Sequence, residues 1–221
     1  MLSMPKYLTA SIGKKQIMAL TGFGLVGFTL AHLLGNFLMF LGPDAFNMYG
    51  HKLTSNPLIY VAEAGLLGMF LAHIFLAAFL TLENKSARPV KYEMKVRTGR
   101  GETFASATMP YTGMILLVFV ILHLINFKYG AHYETTVDDI VMRDLYKLVV
   151  EYFANIYYVV WYVIAMIALG IHTSHGVHSM FQSLGFNHPK YTPHLKTIAL
   201  LYGLFVAVGF SSLAIFCYFQ N

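Results

Sequence analysis

The chain alternates five long runs of apolar residues with short polar segments. A transmembrane helix needs about 20 consecutive apolar residues, because each residue advances the helix by about 1.5 Å across a hydrocarbon core of about 30 Å. All five runs are long enough, and no connecting segment is long or apolar enough to build a second core. The pattern therefore predicts an all-α membrane protein, a five-helix transmembrane bundle forming one domain over residues 1–221. The predicted spans are residues 16–40, 57–82, 107–128, 153–180 and 195–219.

The composition supports this interpretation. Hydrophobic residues make up 57% of the 221 residues and charged residues only 11%, with a mean hydropathy of +0.59, whereas a soluble domain has about 25% charged residues. The first apolar run is too long for a signal peptide and is expected to remain as a span. The lone cysteine, Cys217, excludes a disulfide within the chain and also a haem attached through a C-x-x-C-H motif.

The 15 Lys and Arg residues outnumber the 10 Asp and Glu residues, but their positions indicate a membrane topology rather than a nucleic-acid partner. Basic residues cluster before the first span, in the loop 83–102 and around the start of the fifth span, at Lys190 and Lys196. These segments fall on one side of a five-span chain. The positive-inside rule then predicts a cytoplasmic N-terminus and a C-terminus outside.

Histidines occur on four successive spans, and ionisable residues at such positions are costly and usually functional. Spans one and three run outward, and His32 and His123 each lie about 16 residues, or 24 Å, along them. Spans two and four run inward, so His73 and His172 lie towards the cytoplasm. Depth therefore predicts an outer pair, His32 with His123, and an inner pair, His73 with His172, roughly 10–15 Å apart along the membrane normal.

Two imidazoles at equal depth on different helices can fill both axial positions of a haem iron. Because no position remains for oxygen, such a site transfers electrons, and two stacked haems would form an electron path across the bilayer. A proton relay would mix acids with the histidines at several depths. A zinc or copper site would gather its ligands at one depth. The paired depths fit these two alternatives less well.

His175 and His178 follow His172 at three-residue intervals, so all three lie near one side of the helix. Both approach the cytoplasmic headgroups. Two interpretations remain open: they donate hydrogen bonds to haem propionates, or they form a satisfied polar helix end.

The segments TLAHLLGNF, FLAHIFLAA, VILHLINF and GIHTSHGVHSMFQSLG on four successive spans, followed by a histidine-free fifth, carry a family resemblance. This arrangement resembles the single-chain di-haem cytochrome b subunit of succinate dehydrogenases and quinol:fumarate reductases. The likeness extends over nearly the whole chain and matches all four ligand positions. In that family the first and third helices hold the haem distal to the catalytic subunits, and the second and fourth hold the proximal one, which agrees with the pairs sorted by depth.

The resemblance implies partners and cofactors beyond this chain. Family members anchor a flavoprotein carrying FAD and an iron–sulfur protein to the cytoplasmic face of a bacterial inner membrane, and the whole complex could form a dimer. Electrons then pass through two b haems to or from a quinone, often menaquinone. The sequence has no dinucleotide fingerprint and no cysteine cluster, so succinate or fumarate chemistry is expected in the partners. The basic loop 83–102 is predicted to contact the iron–sulfur partner, the alternatives being a topogenic segment that faces lipid or a contact with the inner haem propionates.

A quinone site needs an apolar slot beside a haem and polar groups that exchange protons with the two quinone oxygens. Glu63 lies about two turns into span two, towards the outer face. Asn36 and Asn126 follow His32 and His123 by about one turn. The sequence thus predicts an outer quinone site formed by Glu63 with Asn36 or Asn126. The alternative is that Glu63 pairs with a neighbouring helix and the two amides satisfy backbone groups.

Three functional hypotheses remain. The first is an electron-transferring membrane anchor of a succinate:quinone oxidoreductase, whose own chemistry is quinone reduction or quinol oxidation. The second is the cytochrome b subunit of another respiratory complex, such as a hydrogenase or formate dehydrogenase. The third is a proton transporter that uses histidines as relays.

Overall fold

The computed structural model describes residues 10–87 and 104–221. In this part of the chain, five helical segments are long and apolar enough to cross a membrane, which confirms the predicted all-α membrane bundle. Several helices continue past the apolar runs into polar residues, which accounts for the small differences from the predicted ends. The five segments are Ser11–Leu41, Leu58–Ser86, Phe104–Lys128, Ile156–Ser183 and Thr192–Tyr218.

The helices and strands are numbered here in chain order. The first membrane segment is α1, Ser11–Asn36, continued by a 3₁₀ turn, Phe37–Leu41, and the third is α4, Phe104–His123, continued by a π-helical turn, Leu124–Lys128. The remaining elements follow the same order along the chain. They are α2, Pro43–Thr54; α3, Leu58–Ser86; β1, Glu134–Val137; β2, Ile140–Arg143; α5, Leu145–Phe153; α6, Ile156–Ser183; and α7, Thr192–Tyr218.

The sequence pattern did not predict the elements that connect α1 to α3 and α4 to α6. These are α2, the antiparallel hairpin of β1 and β2, and α5, which we call together the cap. Asp138 and Asp139 form the hairpin turn with positive φ angles of 49° and 63°, as the commonest two-residue hairpin turn requires. The cap lies at the end of the bundle where α1 and α4 finish.

A buried asparagine holds the cap together. The Asn47 amide of α2 donates a hydrogen bond of 2.8 Å to the Asp144 carboxylate, and its carbonyl oxygen accepts one of 2.9 Å from the backbone amide of Tyr146. Asp144 also accepts a hydrogen bond from the Lys147 amide and so caps the N-terminus of α5. One side chain thereby joins two connections that are about 100 residues apart in sequence.

The closest helix packing in the bundle is between α6 and α7, where two glycines meet. A Cβ atom on Gly203 would lie 2.5 Å from the Gly170 carbonyl oxygen, and one on Gly170 would lie 2.8 Å from the Gly203 carbonyl oxygen. Small residues allow this approach of two membrane helices. By contrast, only 6% of the most apolar stretch of α3 and of α4 is buried, as expected for helices that face lipid.

A glycine and a proline accompany the break between α6 and α7. Helix α6 ends at Ser183, and Gly185 follows with a φ of +95°, a conformation that glycine adopts without strain. Pro193 lies in the first turn of α7, where its missing amide proton costs nothing. Most of the basic loop 83–102, from residue 88 onward, lies outside the described residues.

Candidate paired-histidine site

The structure brings together the two histidine pairs that depth predicted. In the outer pair, the rings of His32 on α1 and His123 on α4 have centres 5.9 Å apart and are nearly perpendicular, at 87°. In the inner pair, the rings of His73 on α3 and His172 on α6 have centres 6.4 Å apart at 63°. All four imidazoles are partly buried. Four different membrane helices therefore contribute one histidine each to two facing pairs.

The two pairs lie at different depths in the bundle. His73 contacts Thr21 of α1, and Thr21 precedes His32 of the outer pair by 11 residues on the same helix. Eleven residues correspond to about three turns and a rise of about 16 Å. The two pairs thus lie about three turns apart along α1, near the predicted separation of roughly 10–15 Å.

Each inner histidine faces a threonine hydroxyl on a neighbouring helix. The Thr21 Oγ1 atom lies 3.3 Å from Nδ1 of His73, and the Thr112 Oγ1 atom lies 3.1 Å from Nδ1 of His172. A glycine follows each threonine, and its missing side chain leaves the imidazole close to the helix surface. A Cβ atom would lie 3.5 Å from Cε1 of His73 if placed on Gly22, and 3.7 Å from Cε1 of His172 if placed on Gly113.

These threonines belong to a sequence repeat that the prediction from histidines alone missed. Helix α1 contains TGFGLVGFTLAH from Thr21 to His32, and α4 contains TGMILLVFVILH from Thr112 to His123. Both follow the pattern T-G-x₅-F-x₃-H. Because 11 residues make about three helical turns, the threonine and the histidine lie on nearly the same face. Each of the two helices thus presents a hydroxyl at the inner level and an imidazole at the outer level.

Aromatic rings and amides surround the outer pair. The shared spacing of the two repeats puts Phe28 against His32, with ring centres 5.3 Å apart, and Phe119 against His123, at 5.5 Å. The hydroxyl of Tyr162 on α6 lies 3.3 Å from Nδ1 of His123. Tyr162 is buried and Phe119 is partly buried, so these two rings shield the His123 imidazole from water, whereas Phe28 is exposed at the bundle surface.

The three residues predicted for the quinone site do not all contact the same groups. Glu63 forms an ion pair with Lys128, which ends the π-helical turn after α4. Asn36 donates a hydrogen bond of 2.8 Å to the backbone oxygen of His32, and Asn126 is buried beside the Tyr162 hydroxyl. Both amides therefore lie at the outer pair, whereas Glu63 has the interhelical partner that the alternative interpretation expected.

His175 and His178 lie in the last turns of α6, both partly buried, at the end of the bundle opposite the cap. His178 is close enough to Lys196 on α7 to interact with its charge. Three basic side chains thus gather beyond the inner pair. Such a group could donate hydrogen bonds to a carboxylate.

The donor set of each pair fits a haem better than a metal ion held by protein alone. Among residues 10–87 and 104–221, no three His, Cys, Asp or Glu side chains are grouped to hold one metal ion, whereas protein-bound zinc usually has three or four protein ligands. A haem needs only axial ligands from the protein. With metal–imidazole bonds of about 2 Å, two imidazoles on opposite sides of one metal have ring centres about 6 Å apart, close to both observed distances.

Fold and site together define a multi-pass helical membrane protein with two facing imidazole pairs at two depths. The chain matches the succinate dehydrogenase/fumarate reductase transmembrane subunit family over residues 84–211, more than half of its length, and belongs to that family. The match includes His123 and His172 but begins after His32 and His73, which lie outside it in α1 and α3. Comparisons with curated proteins and with solved structures gave no match.

Family membership makes the chain a membrane anchor subunit of a succinate dehydrogenase or fumarate reductase complex. It favours the first functional hypothesis over a hydrogenase or formate dehydrogenase subunit and over a proton transporter. It also supports the predicted multi-pass membrane location.

Proposed function

We propose that this chain is a single-domain di-haem cytochrome b, which anchors a succinate:quinone oxidoreductase and transfers electrons between an iron–sulfur partner and membrane quinone. The observation that carries the proposal is the pair of facing imidazoles at each of two depths. Family members generally bind haem b in these complexes, which supports the same conclusion. His32 and His123 are proposed as the axial ligands of the outer haem, and His73 and His172 as those of the inner haem.

The chain's own residues supply ligation, position and exclusion of water. A bound b haem supplies a one-electron carrier. Two imidazoles from different helices would hold each haem, and the apolar bundle around them would keep water from its iron. His175 and His178, with Lys196 nearby, are proposed to bind the propionates of the inner haem by charge-assisted hydrogen bonds.

The proposed orientation puts the cap outside and the end with His175 and His178 in the bacterial cytoplasm. The distribution of Lys and Arg supports it. The flavoprotein with FAD and the iron–sulfur subunit then bind at the cytoplasmic end, where the basic loop 83–102 contributes to docking. In this arrangement the inner pair is nearer the iron–sulfur partner, and the outer pair is nearer the proposed quinone site.

The quinone, most simply menaquinone, is proposed to bind near the outer pair with Glu63 as its proton-exchanging group. Glu63 is 43% exposed despite its ion pair with Lys128, so its carboxylate remains accessible to a ligand that enters from the membrane. Asn36 and Asn126 are weaker candidates, since both amides already contact groups of the bundle. A carboxylate positioned at a quinone oxygen can accept or return a proton during reduction and oxidation.

Haem stoichiometry in the purified complex tests the proposal directly. Haem extraction and protein quantitation are expected to give two b haems per chain, and the spectrum is expected to be that of low-spin haem. Electron transfer to quinone should depend on succinate or fumarate rather than on hydrogen or formate. A chain purified with intact partners but without haem would disprove the di-haem assignment.

A further inference from the structure

We propose that Thr21 and Thr112 are positioning residues, which hold His73 and His172 in the Nδ1–H tautomer and strengthen both as ligands of the inner haem. This inference rests on the proposed di-haem function and adds residues to it that do not contact the iron. It concerns the inner pair only.

The other hydrogen bonds of each threonine determine whether its hydroxyl donates to the histidine or accepts from it. The Thr21 hydroxyl donates to backbone oxygens of its own helix, at 3.0 Å from that of Met18 and 3.1 Å from that of Ile17. The Thr112 hydroxyl does the same, at 3.1 Å from the oxygens of Thr108 and Met109. A hydroxyl has one proton and two lone pairs. With its proton used within the helix, each threonine can only accept from the imidazole.

Acceptance by the threonine assigns the tautomer. The proton of each neutral imidazole is then on Nδ1, and Nε2 keeps the lone pair that a metal requires. His73 also bonds to the backbone of Met18, which gives it a second acceptor on α1 beside Thr21. Histidine ligands of metals commonly donate their second nitrogen to such an outer acceptor, which fixes the ring and makes the ligand more basic. Thr112 is only 5% exposed, so water does not compete for the contact with His172.

The arrangement occurs twice, on α1 and on α4, and neither of these helices carries a histidine of the inner pair. Thr21 with Gly22 faces His73, and Thr112 with Gly113 faces His172. In both helices the threonine lies 11 residues before the outer histidine. The same contact in the same register on both sides of one site indicates a common role for the two hydroxyls.

A stronger imidazole ligand favours ferric iron over ferrous iron. Loss of the acceptor should therefore raise the midpoint potential of the inner haem and weaken its retention. Outer partners of metal ligands typically change affinity or activity by 10- to 100-fold. For a neutral hydroxyl we expect the lower end, a shift of up to about 10-fold in the ferric-to-ferrous ratio at a fixed potential.

The experiment compares threonine variants in the complete complex. Thr21→Val and Thr112→Val remove the hydroxyl at nearly constant volume, whereas Thr21→Ser and Thr112→Ser retain it. Thr108→Val is the matched control, because the Thr108 hydroxyl also bonds to its own helix, at 2.9 Å from the Phe104 oxygen. Redox titration of the two haem bands and electron paramagnetic resonance of the ferric haems provide the measurements.

We expect both valine variants to raise the potential and change the ferric signal of one haem, while the serine variants and Thr108→Val resemble the wild type. Two normal haems in every variant would overturn the threonine assignment but leave the di-haem proposal intact. Wild-type complex without haem would instead disprove the proposed function. If one valine variant fails to assemble, the other reports on the same haem, and its unchanged potential would equally reject the inference.

Discussion

Nδ1 of His123 on α4 lies 3.3 Å from the hydroxyl of Tyr162 on α6. The same two helices make a second contact of this kind at the inner level, where Thr112 of α4 faces His172 of α6. Each helix therefore provides a hydroxyl to the histidine of the other. The reciprocity ties the two levels together on one side of the bundle.

Helices α1 and α3, on the other side of the bundle, do not exchange hydroxyl contacts in this reciprocal way. Thr21 of α1 faces His73 of α3, in parallel with Thr112 and His172. On α3, however, the residue ten positions before the histidine is Glu63, where α6 has Tyr162. Because the spacing is equal, Glu63 lies at about the depth of the outer pair, but its carboxylate binds Lys128. This difference in chemistry at equal depth supports a proton-exchanging site on the α3 side.

Tyr162→Phe should alter the outer haem and spare the inner one. The substitution keeps the ring that packs in the core and removes the hydroxyl at His123. We expect two haems per chain, with the outer potential changed by the equivalent of about 1 kcal/mol, the size of one hydrogen bond. Redox titration measures the change. Tyr202→Phe is the control, because that hydroxyl bonds to the Val26 backbone oxygen at 2.8 Å rather than to a histidine.

Single histidine substitutions should separate the two levels. His32→Ala or His123→Ala is expected to leave one haem per chain with the inner spectrum, and His73→Ala or His172→Ala one haem with the outer spectrum. Haem extraction and low-temperature spectra measure the outcome. His188→Ala is a suitable control, since His188 lies in the connection between α6 and α7. Loss of both haems from an assembled complex after one substitution would contradict independent pairs.

The sequence allowed prediction of the spans and of the histidine pairs because both depend on simple periodic quantities. Apolar run length determines which segments cross a bilayer, and helical rise converts sequence position into depth. His32 and His123 could thus be paired without any structure. Their ring separation of 5.9 Å required only that α1 and α4 face each other across the bundle at that depth.

The cap and the hydroxyl contacts depend on information that single-span patterns do not contain. Asn47 and Asp144 are far apart in sequence, and no local preference of either residue indicates their hydrogen bond. The threonines could have been detected by aligning α1 with α4, where the repeat from Thr21 to His32 recurs from Thr112 to His123. The ion pair of Glu63 depends on where the π-helical turn after α4 places Lys128. The sequence marks the end of that helix only approximately.

Gly203→Ala should destabilise the contact between α6 and α7. The added Cβ atom would meet the Gly170 carbonyl oxygen at 2.5 Å, so the helices must separate. Overpacking of this kind costs roughly 1–3 kcal/mol, and the melting temperature of the complex should fall. Gly176→Ala is the control on α6, because its Cβ atom would have no neighbour within 4 Å. Equal melting temperatures for the two variants would contradict close packing at Gly203.

Asn47→Ala should loosen the cap without removing either haem. It leaves the Tyr146 amide without its acceptor and removes the Asn47 donor from the Asp144 carboxylate, which keeps only its bond from the Lys147 amide. Leaving buried polar groups without partners costs about 1–3 kcal/mol. We expect faster proteolysis within residues 129–155 and unchanged haem content, measured by mass spectrometry and absorption. Asn56→Ala is the control, because the Asn56 side chain accepts only the nearby Leu58 amide at an exposed position.

Exchanging the charges of Glu63 and Lys128 tests whether Glu63 exchanges protons with quinone or only forms a structural ion pair. A partly exposed ion pair contributes about 0–1 kcal/mol, so Glu63→Gln should assemble normally with two haems. If Glu63 exchanges protons with quinone, Glu63→Gln lowers quinone turnover by about 100-fold or more, and Lys128→Met has a smaller effect. The exchanged variant, Glu63→Lys with Lys128→Glu, restores the ion pair but should remain inactive with quinone while still reducing an artificial acceptor through the partner subunits. Full quinone activity in the exchanged variant would assign the pair a structural role and reject the proposed proton exchange.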